Sequence, residues 1–509
     1  MAIRKWLAQS RPLAGAPGAR RIDVLAEDWR QIALDLAAGT VRLHAQWCET
    51  RPAAVCAVYA DDDFLLLVTL PLPSTESAYP SIADIFPAAA RMQRAAADLT
   101  GSSAQGADPR PWLRHSAWPA GYRPLAASGP PPEPGEPRAD NYAFVRVTGD
   151  GVHEIPVGPV HAGIIEPGHF RFSVVGEKVL RLEQRLGYAH KGIEQLFTRT
   201  SILDGHRIAA RVSGDSAVAY SWAYCQALEG IAECAVPARA VWLRALALEA
   251  ERIANHLGDL GALGNDAGFA FGLAQFSRLK ELWLRSTEAT LGRRYLLDFV
   301  IPGGVAVDAP AESVAQMAAM ASDIERQATT VRDIYDEHAG VRDRFVSTGI
   351  VTPDLATKLG LVGLAARASG YDHDLRADIP CEPYAQLQVR KVVRRDGDVA
   401  ARVAVRFEEL AESVRLMTAI AAQLPAGDVR ADVALPPAGA AAVGAIEGWR
   451  GPVLVALTAG EDGAVRRCHP HDPSWQNWPA LEYAIIGNIV PDFPLINKSF
   501  NLAYSGHDL

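Results

Sequence analysis

Hydrophobic residues follow two patterns in the first part of the chain. The short apolar runs AAVCAVYA (53–60) and FLLLVTLPL (64–72) flank an acidic turn, as neighbouring strands do. A helical spacing then appears in SIADIFPAAARMQRAAADLTG, where apolar residues recur every three or four positions: Ile82, Ile85, Phe86, Ala89 and Met92. This part is predicted to be a small α+β domain of strands followed by a helix.

The pattern changes to long helical periods later in the chain. Three strands are predicted first, at YAFVRV, HFRFSVV and EKVLRLEQRLG, and helices follow at roughly 200–230, 237–260, 268–293 and 309–338. Pro237 stands at a helix start, where a missing N–H costs least. One stripe of that helix carries the ionisable side chains of Glu249, Arg252 and His256. The prediction is a large, mainly helical domain with a small β-sheet.

A Pro-rich segment separates the two parts. Residues 127–140, ASGPPPEPGEPRAD, contain five prolines among glycine, serine and charged residues, which prevents a regular helix or a central strand. A chain of 509 residues also exceeds the roughly 250–300 residues at which single cores stop growing. We therefore predict domains at 1–126 and 141–509, joined by a linker at 127–140.

Six segments resemble the large subunits of energy-converting nickel-iron hydrogenases of the formate hydrogenlyase type, and the 49-kDa subunit of complex I. They occur along this chain in the same order as in the family. They are RVSGDS from Arg211, the C-terminal DFPLINKSFNLAYSGHDL, GPVHAGIIEPGHFRF from Gly158, LGYAHKGIEQLF from Leu186, AVAYSWAYCQALE from Ala217 and NWPALEYAIIGNIVPDFPLI from Asn477. The chain is identified as a member of this superfamily. Near the N-terminus, YPSI (79–82) and FPAA (86–89) resemble a 30-kDa-type domain, which implies docking onto neighbouring subunits.

The hydrogenase frame lacks its metal ligands. Where the family has four cysteines, this chain has Ser213, Ser216, Ala503 and Gly506. Nickel and iron are held by soft thiolates, which form readily because a thiol pKa is about 8.5. A serine hydroxyl is harder and far less acidic, and alanine and glycine offer no ligand. No nickel-iron centre and no hydrogen turnover are expected.

In the complex I branch the corresponding pocket binds a quinone headgroup, which needs polar donors near its carbonyls. The resemblance places His161 at one donor position, and His169 is a candidate for the second histidine although it aligns with the following strand. The tyrosine donor falls at Gly214, so Asp215 or Tyr220 is expected to substitute. The alternative for Tyr220 is packing in the bundle with its hydroxyl satisfied.

The run HKGIE resembles a superfamily segment whose glutamate passes protons from the metal site. Glu194 beside a desolvated cavity is expected to have a raised pKa and to relay protons. The alternative is a glutamate that pairs within the bundle. His161, Tyr220 and Glu194 are thus the predicted catalytic residues, and a structural salt-bridge network is predicted around Arg367 and residues 372–376.

Charge and cysteine placement limit the remaining classes. The net charge of −9 argues against nucleic-acid binding, and no apolar run reaches the roughly 18–20 residues of a spanning helix. The six cysteines show no close metal-ligand spacing, with Cys468, His469 and His471 as the sole suggestive cluster. We expect no cofactor bound directly, a possible quinone substrate, and an iron–sulphur cluster in a partner subunit.

Two functions follow from the resemblance. The first is a quinone-reactive subunit at the cytoplasmic face of the inner membrane, held there by an iron–sulphur small subunit, other peripheral-arm subunits and antiporter-like membrane subunits that move protons or sodium ions. The second is a redox-inactive scaffold that joins the iron–sulphur subunit to the membrane arm. An active hydrogenase would need metal ligands from elsewhere in the chain.

Overall fold

A computed structural model describes residues 2–119, 121–127, 132–133, 135–136 and 141–509. Most of the predicted linker at 127–140 lies outside these residues, and the predicted domain boundaries stay predictions. The described chain is a mixed α+β structure with several small sheets, which confirms the predicted fold class. No helix in the described ranges is long and apolar enough to cross a membrane.

The first part of the chain forms a five-stranded sheet. Its strand order is Arg11–Pro12, Ala19–Asp23, Leu65–Pro71, Ala53–Ala60 and Arg42–Thr50. The predicted strands at 53–60 and 64–72 are confirmed. The predicted helix begins only at Ala89 and runs to Thr100, because Pro87 disfavours helical backbone at Phe86.

A three-stranded antiparallel sheet opens the second part, in the order Lys178–Arg185, His169–Val175 and Val152–Val157. The strand predicted at YAFVRV is wrong, because residues 142–147 have no regular secondary structure and pair with no strand of the described chain. The Tyr142 ring instead contacts the guanidinium groups of Arg94, Arg110 and Arg185. The apolar alternation there serves cation–π contacts rather than a β-ladder.

Four long helices build the body of the molecule: Ala238–Asp266, Ala270–Leu291, Ala311–Glu337 and Val399–Gln423. Pro237 precedes the first of them, as predicted. This helix extends past the predicted end at 260 and includes Gly261 and Gly264. A Cβ at Gly264 would lie 2.1 Å from the Tyr335 hydroxyl, so glycine here permits close helix packing.

The helix predicted at 200–230 is wrong in its first half. A short helix at Gly205–Ala209 is followed by a single 3-10 turn at Gly214–Ser216 and then by the helix Ala217–Ile231. Ser213 between them is extended, with φ −143°. The break places residues 211–216 in a loop at the N-terminus of the buried helix Ala217–Ile231.

A four-stranded sheet joins a strand near the N-terminus to strands from late in the chain. Its order is Val465–His471, Pro452–Ala459, Ala441–Glu447 and Ala14–Gly15, the last pairing parallel with Ala442 and Val443. The remaining short elements are Ala2–Gln9, Ala26–Ala37, Ala78–Tyr79, Ser103–Ala104, Ile193–Phe197, Val300–Ile301, Gly304–Val305, Ala339–Phe345, Pro353–Leu359, Gly363–Arg367, Leu375–Asp378, Tyr384–Leu387, Ser474–Ala484, Phe493–Phe500 and Tyr504–Asp508, with 3-10 turns at Glu461–Gly463 and Val490–Asp492.

Candidate functional site

The loop 211–216 and the C-terminal tail 501–508 meet through one arginine. Arg450 Nη1 donates to Asp215 Oδ1 at 2.8 Å and to Ser216 Oγ at 3.4 Å, while its Nε donates to the carbonyl oxygen of Asn501. The structure thus brings the loop that carries Ser213 and Ser216 next to the tail that carries Ala503 and Gly506. We call this place the loop–tail site: residues 211–216 and 501–508 with Arg450 and Asp472.

Asp215 is an ionised partner of Arg450 in this site. Burial alone would raise the pKa of Asp215, but Arg450 outweighs it, and a hydrogen bond of 2.7 Å from Ser213 Oγ adds to the effect. Together they lower the pKa to about 2. The predicted donor Asp215 is therefore a carboxylate acceptor already bound by a cation.

Tyr220 and Asp472 fill the other side of the site. The fully buried Tyr220 hydroxyl donates to Asp472 Oδ2 at 2.6 Å, and the backbone N–H of Ser474 donates to Oδ1 at 2.8 Å. A Cβ added to Gly506 would lie 2.3 Å from Asp472 Oδ2. The Asp472 carboxylate therefore occupies the space that a side chain at position 506 would need.

His161 lies on the loop that joins the strands Val152–Val157 and His169–Val175. Its Nε2 is 2.7 Å from the carbonyl oxygen of Gly168, so Nε2 carries the proton of the neutral ring. Nδ1 has no hydrogen bond to any residue in the described ranges. Glu166 ties the loop to the tail, since its Oε2 accepts from the Ser505 N–H at 3.0 Å.

His169 is held by the same loop. It is the first residue of its strand, it is buried, and its Nδ1 lies 3.2 Å from the carbonyl oxygen of Gly158. Arg171 Nε approaches its Nε2 at 3.4 Å. The contacts secure the loop base, and they do not pair His169 with Tyr220 or Asp215.

Glu194 is part of a buried ion triad. Its Oε1 is 2.7 Å from Arg467 Nη2 and 2.7 Å from His469 Nδ1. Burial would raise the pKa of Glu194, but the two partners overcome it and lower the pKa to about 2. The expectation of a raised pKa is wrong because Arg467 and His469 stabilise the carboxylate.

The histidines of the suggested metal cluster, His469 and His471, already make other hydrogen bonds. His469 binds Glu194, and His471 Nε2 lies 3.2 Å from Gln476 Oε1. Burial raises the pKa of the Cys468 thiol well above its usual value, which disfavours a thiolate ligand. These side chains are better suited to hydrogen bonding than to holding a cation.

One acid at the site was not singled out from the sequence. Glu251 is buried below the loop, where its Oε2 accepts from the Val218 N–H at 2.8 Å. Burial, with Asp215 as a further cause, raises its pKa to about 8. Arg450 and Asp472 were also missed, since nothing in their spacing links them to the loop.

The predicted salt-bridge network is confirmed. Arg367 binds Glu409 at 2.7 Å and Glu447 at 2.8 Å, and Arg376 binds Glu249 at 3.0 Å and Asp374 at 2.7 Å, all of them buried. The network joins the helices Ala238–Asp266, Gly363–Arg367 and Val399–Gln423 and the start of Leu375–Asp378 to the strand Ala441–Glu447.

The helical body, the loop and the tail together define a large subunit of the hydrogenase and complex I type. The chain belongs to the superfamily of hydrogenase large subunits and 49-kDa complex I subunits. Residues 266–438 match the family model described as "Respiratory-chain NADH dehydrogenase, 49 Kd subunit".

Three relatives illustrate the range of this superfamily. Formate hydrogenlyase subunit 5 of Escherichia coli is 30% identical over 87% of this chain and 79% of its own length. Membrane-bound hydrogenase subunit alpha of Pyrococcus furiosus is 29% identical, covering 70% and 87%. The NADH-ubiquinone oxidoreductase 49 kDa subunit of Cafeteria roenbergensis is 28% identical, covering 54% and 69%. All three are named as subunits of larger assemblies.

Proposed function

We propose that this chain is the peripheral, metal-free large subunit of a membrane-associated oxidoreductase related to complex I, and that a quinone is reduced beside its loop–tail site. The observation that carries the proposal is the Asp472 carboxylate, which fills the space of a side chain at Gly506. Electrons would come from an iron–sulphur cluster in a partner subunit.

The residues present do not fit a nickel-iron centre. Ser213 Oγ donates to Asp215 and Ser216 Oγ accepts from Arg450, so both hydroxyl groups already have hydrogen-bond partners inside the chain. Arg450 brings a fixed positive charge between the two segments, which opposes a metal cation at this place. Soft thiolate ligands are missing at all four positions.

His161 supports the quinone part of the proposal. Its neutral ring has the proton on Nε2 and a lone pair on Nδ1, which can accept a hydrogen bond from a hydroquinone hydroxyl. When protonated, Nδ1 can donate to a quinone carbonyl. Reduction of a quinone to hydroquinone takes two electrons and two protons, so the partner cluster supplies electrons while protons arrive through polar groups.

Partners follow from the same proposal. An iron–sulphur small subunit would deliver electrons, other peripheral-arm subunits would bind beside it, and antiporter-like membrane subunits would hold the chain at the cytoplasmic face of the inner membrane. Those membrane subunits would move protons or sodium ions. The relatives' names as subunits of membrane-bound and quinone-linked complexes support this assembly.

A second function, a redox-inactive scaffold, is favoured by a specific observation. Tyr220 and Asp215 are both satisfied inside the chain, by Asp472 and Arg450 respectively. A site whose donors are already used can hold subunits together without contacting a substrate.

The deciding experiment is anaerobic reoxidation of chemically reduced iron–sulphur centres by a quinone analogue in the purified intact complex. We expect slower reoxidation in His161→Ala and Tyr220→Phe, with unchanged cluster content, and His153→Ala, an exposed histidine on the preceding strand, as the unaffected control. Reoxidation that is absent in the native complex, or indifferent to both substitutions, would leave the scaffold. Nickel in stoichiometric amount in the purified chain would contradict the metal-free assignment.

A further inference from the structure

A surface cleft of the described chain is lined by several arginine side chains. Its volume is about 390 Å³, and Arg51, Arg199, Arg466 and Arg467 line it, whereas Glu49 is the one acid of the described residues along its wall. Small-molecule sites typically measure about 300–1,000 Å³. The excess of positive charge is local, because the whole chain has a net charge of −9. We call this space the arginine cleft.

Three of the four guanidinium groups are available to a ligand. Arg51, Arg199 and Arg466 are exposed, and their side chains make no hydrogen bond or ion pair with a described residue. Arg467 is buried and already binds Glu194 at 2.7 Å. A guanidinium group stays charged and offers paired N–H donors that match the oxygens of a phosphate or a carboxylate. The cleft therefore presents three groups that suit oxyanions.

Hydrogen bonds hold the walls of the arginine cleft together. Thr50 Oγ1 donates to the carbonyl oxygen of Leu125 at 3.0 Å, and Gln195 Nε2 donates to the carbonyl oxygen of Pro124 at 3.1 Å. All four residues line the cleft, and the start of the strand Val465–His471 completes it. These contacts form the cleft without any contribution from a ligand.

The lining also limits the kind of ligand that fits. No aromatic ring of the described residues lines the cleft, so a nucleobase would find no ring to stack on. None of the exposed large hydrophobic side chains in the described ranges lines it either. A protein interface has an apolar or aromatic centre, and binding into a membrane surface needs an apolar face. The cleft is therefore better suited to a small hydrophilic anion than to a macromolecule.

We propose that the arginine cleft binds a small polyanion with two or more phosphate or carboxylate groups, held by Arg51, Arg199 and Arg466. Arg51 follows a strand of the first part of the chain, whereas Arg199 and Arg466 belong to the second part. A bound polyanion consequently joins the two parts and stabilises the folded chain by mass action. None of the lining residues belongs to the loop–tail site, so the proposal is independent of quinone reduction.

Isothermal titration calorimetry of the full chain with pyrophosphate and with citrate tests the site and separates phosphate from carboxylate ligands. The ionic strength is fixed at about 0.15 M, because salt screens exposed charges. We expect saturable binding of at least one of the two anions. The Kd should rise about tenfold in Arg199→Gln and in Arg466→Gln, because each variant loses a charge-assisted hydrogen bond.

The matched control is Arg342→Gln. Arg342 is also exposed and has no ion pair among the described residues, but it does not line the cleft. Its replacement should leave the Kd unchanged, and the melting temperature without ligand checks that every variant folds. Absence of saturable binding, or an equal loss in Arg342→Gln, would overturn the proposed site.

Glu49→Gln tests the same site in the opposite direction. Glu49 is half-buried in the wall of the cleft, where its charge opposes a bound anion. Its replacement should lower the Kd about two- to fivefold, the size expected for charges near a solvated surface. Glu177→Gln, at an exposed acid outside the lining, should have no effect. An unchanged or higher Kd in Glu49→Gln would mean that the anion binds elsewhere.

Arginine-selective labelling with phenylglyoxal then decides whether the cleft is open in the intact complex. We expect Arg199 and Arg466 to react there and to be protected by the anion that binds in calorimetry, while Arg342 reacts equally with and without that anion. Protection before any anion is added would show that a partner subunit covers the cleft, and the free polyanion would be ruled out. Failure of quinone reduction in the native complex would contradict the proposed function and leave these results unaffected.

Discussion

The loop–tail site and the region around Glu194 differ in how their polar groups are paired. In the loop–tail site Asp215, Tyr220 and Asp472 are each bound by another side chain of the protein. Around Glu194 the carboxylate is bound, but the far nitrogen of its partner His469 and the indole nitrogens of the neighbouring Trp47 and Trp475 have no hydrogen-bond partner among the described residues. Charge pairing closes the loop–tail site, whereas the region around Glu194 keeps polar atoms without a partner among the described residues.

The comparison matters because an unpaired buried polar group costs about 1–3 kcal/mol, so it persists where water satisfies it or where function maintains it. The loop–tail site avoids this cost by pairing its acids with Arg450 and Tyr220. Substitutions in the two regions are therefore expected to change the free energy of unfolding by different amounts.

The largest effect is expected for Glu194→Gln, which removes the shared partner of Arg467 and His469. Breaking a buried ion pair from one side typically costs about 3–5 kcal/mol. The measurement is chemical denaturation of the full chain. Because the folded-state pKa of about 2 lies below the ordinary 4.5, the carboxylate stabilises the fold above pH 4.5, and this contribution is lost as the pH falls toward 2.

The matched control for that experiment is Glu281→Gln. Glu281 also pairs with two arginines, Arg285 and Arg294, but at the exposed surface. Its replacement should leave the midpoint almost unchanged, since solvent screens such pairs. Equal losses in the two variants, or a native-to-variant difference that does not shrink below pH 4.5, would show that Glu194 is not a buried anion.

Glu251→Gln should raise the free energy of unfolding relative to the native chain as the pH rises, whereas Glu194→Gln should lower it. The Glu251 pKa is raised from 4.5 to about 8, so the folded chain holds a proton that the unfolded chain releases, and native stability falls as the pH rises between these values. Glutamine does not titrate. Relative to the native chain, the variant should gain about 3 kcal/mol between pH 4 and pH 7, at roughly 1.4 kcal/mol per pH unit.

Unfolding midpoints measured at pH 4, 7 and 9 would check this gain. The control is Glu325→Gln on the helix Ala311–Glu337, where the carboxyl is far less buried and the pKa only modestly raised. A gain that is independent of pH would mean that Glu251 is ionised and that packing alone explains the difference.

Part of this structure was predictable because it is local. The strands at 53–60 and 169–175 follow from apolar runs, and the helix start after Pro237 follows from the properties of proline itself. The loop–tail site was predictable as a location, since the resemblance fixed its four ligand positions. The ion pair found in the site was not predictable, because Arg450 and Asp215 are 235 residues apart and no spacing rule links them.

The Glu194 pKa shows the same limit. A buried glutamate was expected to hold its proton, and burial does act in that direction. The direction of the pKa shift is decided by Arg467 and His469, which stand two residues apart on the strand Val465–His471, far from Glu194 in the sequence. Sequence shows the acid and the suggestive histidine, but only the fold shows that they meet.

Gly506→Ala is expected to have the smallest effect of the three substitutions, and it tests the loop–tail site directly. A Cβ at this position would lie 2.3 Å from Asp472 Oδ2, so the carboxylate must move and its hydrogen bond with Tyr220 weakens. Overpacking of this kind typically costs about 1–3 kcal/mol. Gly214→Ala is the control, because its Cβ meets nothing within 4 Å and its backbone is not left-handed. Adding Asp472→Ala should recover part of the loss as a coupling of roughly 0.5–3 kcal/mol in a double-mutant cycle. If the two substitutions are additive, Asp472 does not fill the space of a side chain at position 506, and the proposal of a metal-free loop–tail site loses the observation that carries it.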